Sequence, residues 1–277
     1  MKTMQKYIFM AVAGMLALNS CSNDDKDEPN EQKAPRLLSF TASYWDFAET
    51  RASVFGKSVC FDAGDSISIF SANNDNVKFT TASGGALTSF TGTAVPDDDG
   101  YLAIYPYSDG LSIHHTAPGS IGNPTIKGIV IPDHQSDAAT SAHGWDPKAF
   151  IAYADTTGSI FRFHNACALL KITNRYEPEC HSICIMTTGQ PLTGKFEMNL
   201  FTKQLIPVDT KQFVYVDCVP IPKGKTIYIA VAPIKNETIA LEMRFEIAQW
   251  LVIAHKYNVT LEAGKIYDLN YFDWDKD

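Results

Sequence analysis

Seven histidines and six cysteines are the side chains with the chemistry to hold a metal or to move a proton. His114, His115, His134 and His143 fall in one Pro/Gly-rich stretch, while His164, His181 and His255 fall on or beside apolar alternating segments. A zinc protease needs two histidines four apart on a helix with a glutamate between them, and no such pair occurs. Only a pocket gathering the loop histidines with a carboxylate would make a hydrolase. Cys180-His181-x-x-Cys184 supplies half a zinc shell and no second pair at finger-like spacing. On a strand those two cysteines share a face and serve as small apolar core residues. Gly119-Ser120-Ile121-Gly122 lacks the spacing of a nucleophile elbow. Gly84, Gly85 and Gly92 read as turn residues rather than a phosphate cradle. Asp97-Asp98-Asp99-Gly100 and the Asp62/Asp65 pair cluster hard oxygens, but neither continues into a twelve-residue calcium loop. The expectation is therefore a protein without catalytic residues, metal or cofactor.

Aromatic side chains are the other candidates. With 12 Tyr, 16 Phe and 4 Trp the chain has enough rings to build a sugar-stacking platform. Trp45 and Trp145, near strand ends or loops, are the ones singled out for that role. Most of the others belong to strands, which favour aromatics.

The elements that must position these residues are strands. From Leu37 the chain is short alternating segments cut by Gly, Asn and Asp: 37–44, 53–61, 66–70, 77–80, 87–93 and 101–105, with the turn Asn73–Asn76 between two of them. Period-two segments every 8–12 residues indicate an all-β sandwich or barrel. Residues 106–150 are densely punctuated by Pro and Gly, with one strand at 125–132, and read as a functional or edge-covering excursion. From Gly158 the pattern restarts over 160–174, 182–187, 195–199, 212–219, 226–233, 239–247, 251–261 and 265–272. Two tandem β-sandwiches are expected, over 37–155 and 156–277.

The first twenty residues have a different character. Lys2 and Lys6, roughly a dozen apolar residues from Tyr7 to Leu18, and small residues before Cys21 describe a secretory signal peptide. The run is shorter than the about 20 residues a membrane span needs. Leu18-Asn19-Ser20-Cys21 resembles the lipobox of bacterial lipoproteins, which implies acylation of Cys21 after cleavage. Residues 21–36 hold almost nothing apolar and form a solvated acidic tether. The acidic run after Cys21 also resembles the signal that sends lipoproteins of Gram-negative anaerobes to the outer face of the outer membrane. The chain carries 31 acidic against 23 basic residues, a net charge of −8. Removing 1–20 takes away Lys2 and Lys6 and no acids, leaving 21 basic against 31 acidic, or −10. That balance argues against binding nucleic acid. Cys60, Cys167, Cys180, Cys184 and Cys218 remain, an odd set that cannot all pair within the chain.

Several ordered segments together resemble the fimbrillin-type pilins of Gram-negative anaerobes. They are Leu38-Ser39-Phe40-Thr41-Ala42-Ser43 with Glu49-Thr50-Arg51-Ala52-Ser53, Ala63-Gly64-Asp65-Ser66-Ile67-Ser68-Ile69-Phe70, Ser89-Phe90-Thr91-Gly92, and Tyr105-Pro106-Tyr107. Phe150 to Ala154, Phe161 to Asn165, Ala168 to Ile172 and Leu261 to Tyr267 continue the order. The resemblance implies two transthyretin-like sandwiches in a lipidated precursor, located at the outer membrane surface and in the fimbrium. It further implies cleavage by an arginine-directed protease, which maps to Arg51 with Arg36 as the alternative. The strand holding Leu38 and Phe40 would then leave as a sheet edge, and a strand from another fimbrial subunit would replace it. The charged ending Asp268–Asp277 departs from a donor strand and suggests a tip or accessory subunit with a host or bacterial surface ligand. A different reading of the same residues is a lipoprotein that binds surface glycans without polymerising.

Overall fold

The computed structural model describes residues 33–44, 48–49, 60–114, 123–141, 144–177, 179–245 and 250–271. The strands are β1 (Arg36–Tyr44), β2 (Ala48–Glu49), β3 (Ser66–Ser71), β4 (Asn74–Thr81), β5 (Leu87–Ala94), β6 (Tyr101–Tyr105), β7 (Ser112–His114) and β8 (Thr125–Ile131). A short helix, α1 (Asp137–Thr140), precedes β9 (Ala152–Thr156), β10 (Ile160–Asn165), β11 (Ala168–Thr173), β12 (Cys180–Thr187) and β13 (Thr193–Asn199). Then follow β14 (Leu205–Lys211), β15 (Phe213–Ile221), β16 (Thr226–Val231), β17 (Ile234–Phe245), β18 (Trp250–Leu261) and β19 (Lys265–Asp268). The protein is all-β, as its alternation predicts. No helix among the described residues is long and apolar enough to cross a membrane.

Hydrogen bonding closes seven strands into a barrel in the order β1-β10-β9-β6-β3-β4-β5. Inward positions are strongly aromatic: Phe40, Phe61, Phe79, Phe90, Phe161 and Phe163 are buried together and fill the interior. Ile126, Ile129 and Ile131 of β8 and Phe196 and Met198 of β13 extend the same core, in a sheet ordered β14-β13-β8-β7. A second core lies between two further sheets, β16-β11-β19-β2 and β15-β12-β17-β18. Leu170, Ile172 and Ile229 from the first of these face Ile183, Ile185, Val214 and Leu241 from the second.

The chain passes from one core to the other at Ala166-Cys167. The segment 160–174, predicted as one strand, is split there into β10 and β11, and Asn165 Oδ1 accepts the Cys167 N–H at 2.9 Å across the bend. Strand β10, beyond position 156, is thus a barrel stave. Strand β4 starts at Asn74, inside the predicted Asn73–Asn76 turn, with Asn76 at φ 51°. Strand β14 has no counterpart in the predicted elements because Pro207 and a bulge opposite Lys195/Phe196 interrupt its alternation. It is an edge strand, the place in a sheet where proline is tolerated.

The Pro/Gly-rich excursion covers edges. Its strand β8 pairs with β13 from the distant half of the chain. Tyr215 of edge strand β15 donates its N–H to Asp133 O at 2.7 Å and accepts from Gln135 N at 2.8 Å. On edge strand β16, Tyr228 N–H donates to Gly144 O at 2.7 Å. The fully buried Gln135 amide stands in for a neighbouring strand: its Nε2 donates to Ala230 O at 2.7 Å and its Oε1 accepts from Ala230 N at 2.9 Å. Unpaired main-chain groups buried there would each cost about 1–3 kcal/mol. Gln135→Ala strands both Ala230 groups, so urea unfolding of this variant is expected to show a loss of about 2–4 kcal/mol, with Gln135→Glu intermediate.

Candidate functional site

The residues flagged for assembly sit on the strand that closes the barrel. Alternation along β1 sends Phe40, Ala42 and Tyr44 inward, leaves Leu38 half-buried against the core, and turns Leu37 and Ser39 to solvent. The Phe40 ring centre lies 4.8 Å from Tyr101, 4.9 Å from Phe161 and 5.6 Å from Phe79. Tyr44 stacks on Phe61 at 4.6 Å and meets Phe150 edge-on at 5.6 Å. Burying a ring of this size is worth about 1.5–3 kcal/mol, and such offset and edge contacts add to it. Leu38 faces Gly92 across the ladder. Gly92 lies within β5 and not in a turn; a Cβ there would come 2.6 Å from the Phe79 ring, so the glycine makes room for the ring that supports Phe40.

Pairing of β1 is lopsided. It runs antiparallel to β5 over eight residues, Arg36 to Ser43. Against β10 it runs parallel and only from Thr41 to Tyr44, with Thr41 N donating to Ser159 O at 2.8 Å. Leu38 and Phe40 therefore have ladder partners on β5 alone, Thr41–Ser43 on both sides, and Tyr44 on β10 alone. Strand β1 is thus paired on one side over its first half and on both sides over Thr41–Ser43, because the barrel closes and β10 is the stave it closes against. Closure rests on the parallel ladder, the weaker type per residue.

One end of this strand is electrostatically tuned. Burial, with Tyr105 and Asp65 nearby, raises the Tyr44 phenol well above its ordinary value. The Tyr105 phenol is likewise raised, first by burial and then by Asp65, to whose Oδ2 its hydroxyl donates at 3.2 Å. Asp65 Oδ2 also accepts the Asp62 N–H at 2.9 Å, so this acidic pair caps a turn and closes the barrel end. Asp97 does similar work, accepting from Asp99 N at 2.9 Å and Asn73 N at 3.2 Å.

The other flagged residues scatter. His114 ends β7, and the exposed His134 lies 3.5 Å from the half-buried Asp133. His181 and His255 lie on β12 and β18, while His115 and His143 are outside the described residues. Among the described residues no three His, Cys, Asp or Glu side chains gather as a metal site. Cys167 and Cys180 are buried core thiols, pushed up by burial to about 12 and about 11. Cys184 is buried and raised for the same reason, and Cys60 is half-buried. Cys21, Arg51, Trp45 and the side chain of Cys218 lie outside the described residues. Trp145 stacks on Phe150 at 5.8 Å and packs against the first core, so it is a supporting ring and not an open platform. Arg36 is exposed at the first position of β1.

Two solved structures share this architecture. One is a candidate cell adhesion protein from Bacteroides uniformis, 17% identical, covering 84% of this chain and 91% of its own, with a TM-score of 0.51. The other is a candidate cell adhesion protein from Bacteroides ovatus, 15% identical, covering 85% of this chain and 92% of its own, also with a TM-score of 0.51. At this identity the likeness is one of fold. No family model matches the chain, and no curated protein matches it in sequence.

Two measurements follow from the seam. Gly92→Ala forces a methyl onto the Phe79 ring, and denaturant titration is expected to show a loss of about 1–3 kcal/mol. The raised Tyr44 phenol means that the unfolded chain ionises first as pH rises. Stability from this residue is complete below about pH 10 and falls above it. Unfolding free energies of wild type and Tyr44→Phe should run parallel up to about pH 9.5, then diverge, wild type falling faster by up to about 1.4 kcal/mol per pH unit.

Proposed function

We propose that the chain is a fimbrillin-type structural subunit of a cell-surface fimbria, exported as a lipoprotein through Cys21 and serving adhesion rather than catalysis. The observation that carries this reading is the half-open pairing of β1. If Arg51 is cut, the segment that leaves includes the acidic tether, β1 and β2, the last of which pairs only at Lys265↔Ala48 and Ile266↔Glu49. A cut at Arg36, the alternative, would leave β1 in place and open nothing.

Loss of β1 would expose the Leu87–Ala94 edge of β5 and the start of β10, above a floor made by Phe79, Phe90, Tyr101 and Phe161. Such a groove satisfies its main-chain groups by strand addition from another fimbrial subunit. The donor must put a large ring at the Phe40 position, a small residue at Ala42 and a ring again at Tyr44. This chain's own late segment is committed elsewhere: Leu269 is buried in the second core, and Asn270 Oδ1 accepts the Thr173 N–H at 2.7 Å. A subunit that accepts a strand without offering this segment suits a tip or accessory position. In this reading the two cores belong to two transthyretin-like domains, the first hydrogen-bonded as a closed barrel and the second lying between two facing sheets. The shared fold of the two Bacteroides proteins agrees with the reading, in which the acylated precursor would sit at the outer membrane.

The test uses the purified, palmitate-labelled precursor and an arginine-specific, trypsin-like protease. A discrete product beginning at Ala52 is expected, with the label on the released fragment. That product should bind a fluorescent peptide of sequence Arg36–Tyr44 that the uncut protein ignores, and Arg51→Gln should block both. Ragged digestion, or a clean product that takes up no peptide, would overturn the proposal.

A further inference from the structure

Strand β14 carries apolar side chains that serve no core. Its first residue, Leu205, packs against the first core, but Ile206, Pro207, Val208 and Asp209 are exposed in succession. Successive residues of a strand point to opposite faces, so neither face of this stretch is covered among the described residues. The pairing shows how it comes to overhang. Strand β14 ends the sheet β14-β13-β8-β7, and a bulge sets Asp209 opposite Lys195 and Pro207 opposite Phe196, leaving Val208 with no ladder partner. Val208 is 61% exposed and Ile206 41%. An apolar side chain stabilises the fold through the area it takes from water, so these two contribute little to folding.

The neighbouring strands continue the same outer face. Val130 of β8, Lys195 of β13 and Asp209 of β14 are direct cross-strand neighbours, and Val130 is 46% exposed. Ile129, Ile131 and Phe196, one position away, point into the first core. Lys195 Nζ lies 3.7 Å from Asp209 Oδ2, with the two side chains 66% and 78% exposed. A pair this open to water contributes about 0–1 kcal/mol, so either partner exchanges it at little cost. Glu197, beside Ile206, is already engaged: its Oε2 accepts the Thr125 hydroxyl at 2.7 Å.

Charge selects the occupant. The chain has a net charge of −8, which holds copies of it apart in general. The row across β13 and β14 instead holds one cation and one anion. A half-turn about an axis between these two strands sets each Lys195 against the other copy's Asp209, the self-complementarity that a two-fold contact requires. Pro207 has no N–H to donate, so side chains rather than a continued ladder make the contact.

We propose that β14 and the outer face beside it form a two-fold interface with a second copy of this chain, Lys195 of each copy paired with Asp209 of the other and Ile206 and Val208 covered between them. Three apolar residues a side suit a transient dimer, smaller than the about 1,200 Å² at which stable interfaces begin. The contact is made by the uncut chain and does not depend on strand exchange.

Sedimentation velocity of the Arg51→Gln chain, in which the proposed cut is blocked, tests it. Concentration-dependent dimerisation is expected below about 1 mM. Val208→Asp should weaken it about tenfold or more with an unchanged melting profile. Lys195→Asp and Asp209→Lys should each lose the dimer, because like charges then face each other, and an equimolar mixture of the two should recover it. Recovery in the mixture reports contact between copies, since the pair within each chain stays broken. A chain that remains monomeric, a dimer untouched by Val208→Asp, or a mixture that does not recover would each overturn the proposal. Peptide capture after cleavage at Arg51 is read separately, so the two proposals fail independently.

Discussion

The need to satisfy the main-chain groups of strand edges governs this structure more than any single side chain. Each open edge of a sheet exposes a row of N–H and C=O groups that water, another strand or a substitute must meet. The barrel meets the need by closing on itself through β1. In the second half, the excursion after β8 lays backbone along β15 and β16 and adds the Gln135 amide where no strand fits. Strand β14 is left at an edge but carries Pro207, which removes one donor from the exposed row. The weakest of these solutions is the short parallel seam between β1 and β10, and the functional reading rests there.

The aromatic interior fills the barrel. Rings from β1, β4, β5, β6 and β10 pack at centroid distances of 4.6–5.8 Å around Phe40 and Phe61, leaving the barrel a filled core rather than a container. A filled barrel has two ways to engage a partner: exchange of a stave, or the surface around it. In the proposed assembly strand β1 is the stave exchanged: its inward residues belong to the core, but half its length has a ladder on one side only. In the proposed dimer the sheet ending in β14 is the surface used, because Ile206 to Asp209 are exposed while the inward residues of β8 and β13 hold the core together.

Much of this was legible in the residue order. Period-two alternation from Leu37 to Tyr44 marked β1 and its inward set, Phe40 included, and similar patterns located β3, β5 and β6. The dispersal of the histidines was also legible in part, because no helix placed two of them on one face. Gly92 was not: a glycine between strand-forming residues reads as a turn, and only the approach of Phe79 shows why a strand needs it. Trp145 looked like an exposed ring beside a loop, yet its neighbours Phe150 and Tyr228, distant along the chain in the second case, hold it half-buried against the core.

Local alternation and turn chemistry depend on residues within a few positions of one another, so the sequence by itself determined the all-β class, most strand positions and which face of each strand is apolar. Pairing depends on residues far apart in the chain, which alternation does not specify. Tertiary structure alone decided that β1 meets β10 for only four residues, that β8 crosses to β13, and that the turn between β13 and β14 brings Lys203 to Asp155. Each is a match between distant surfaces, selected by the packing of one core against another rather than by any local signal.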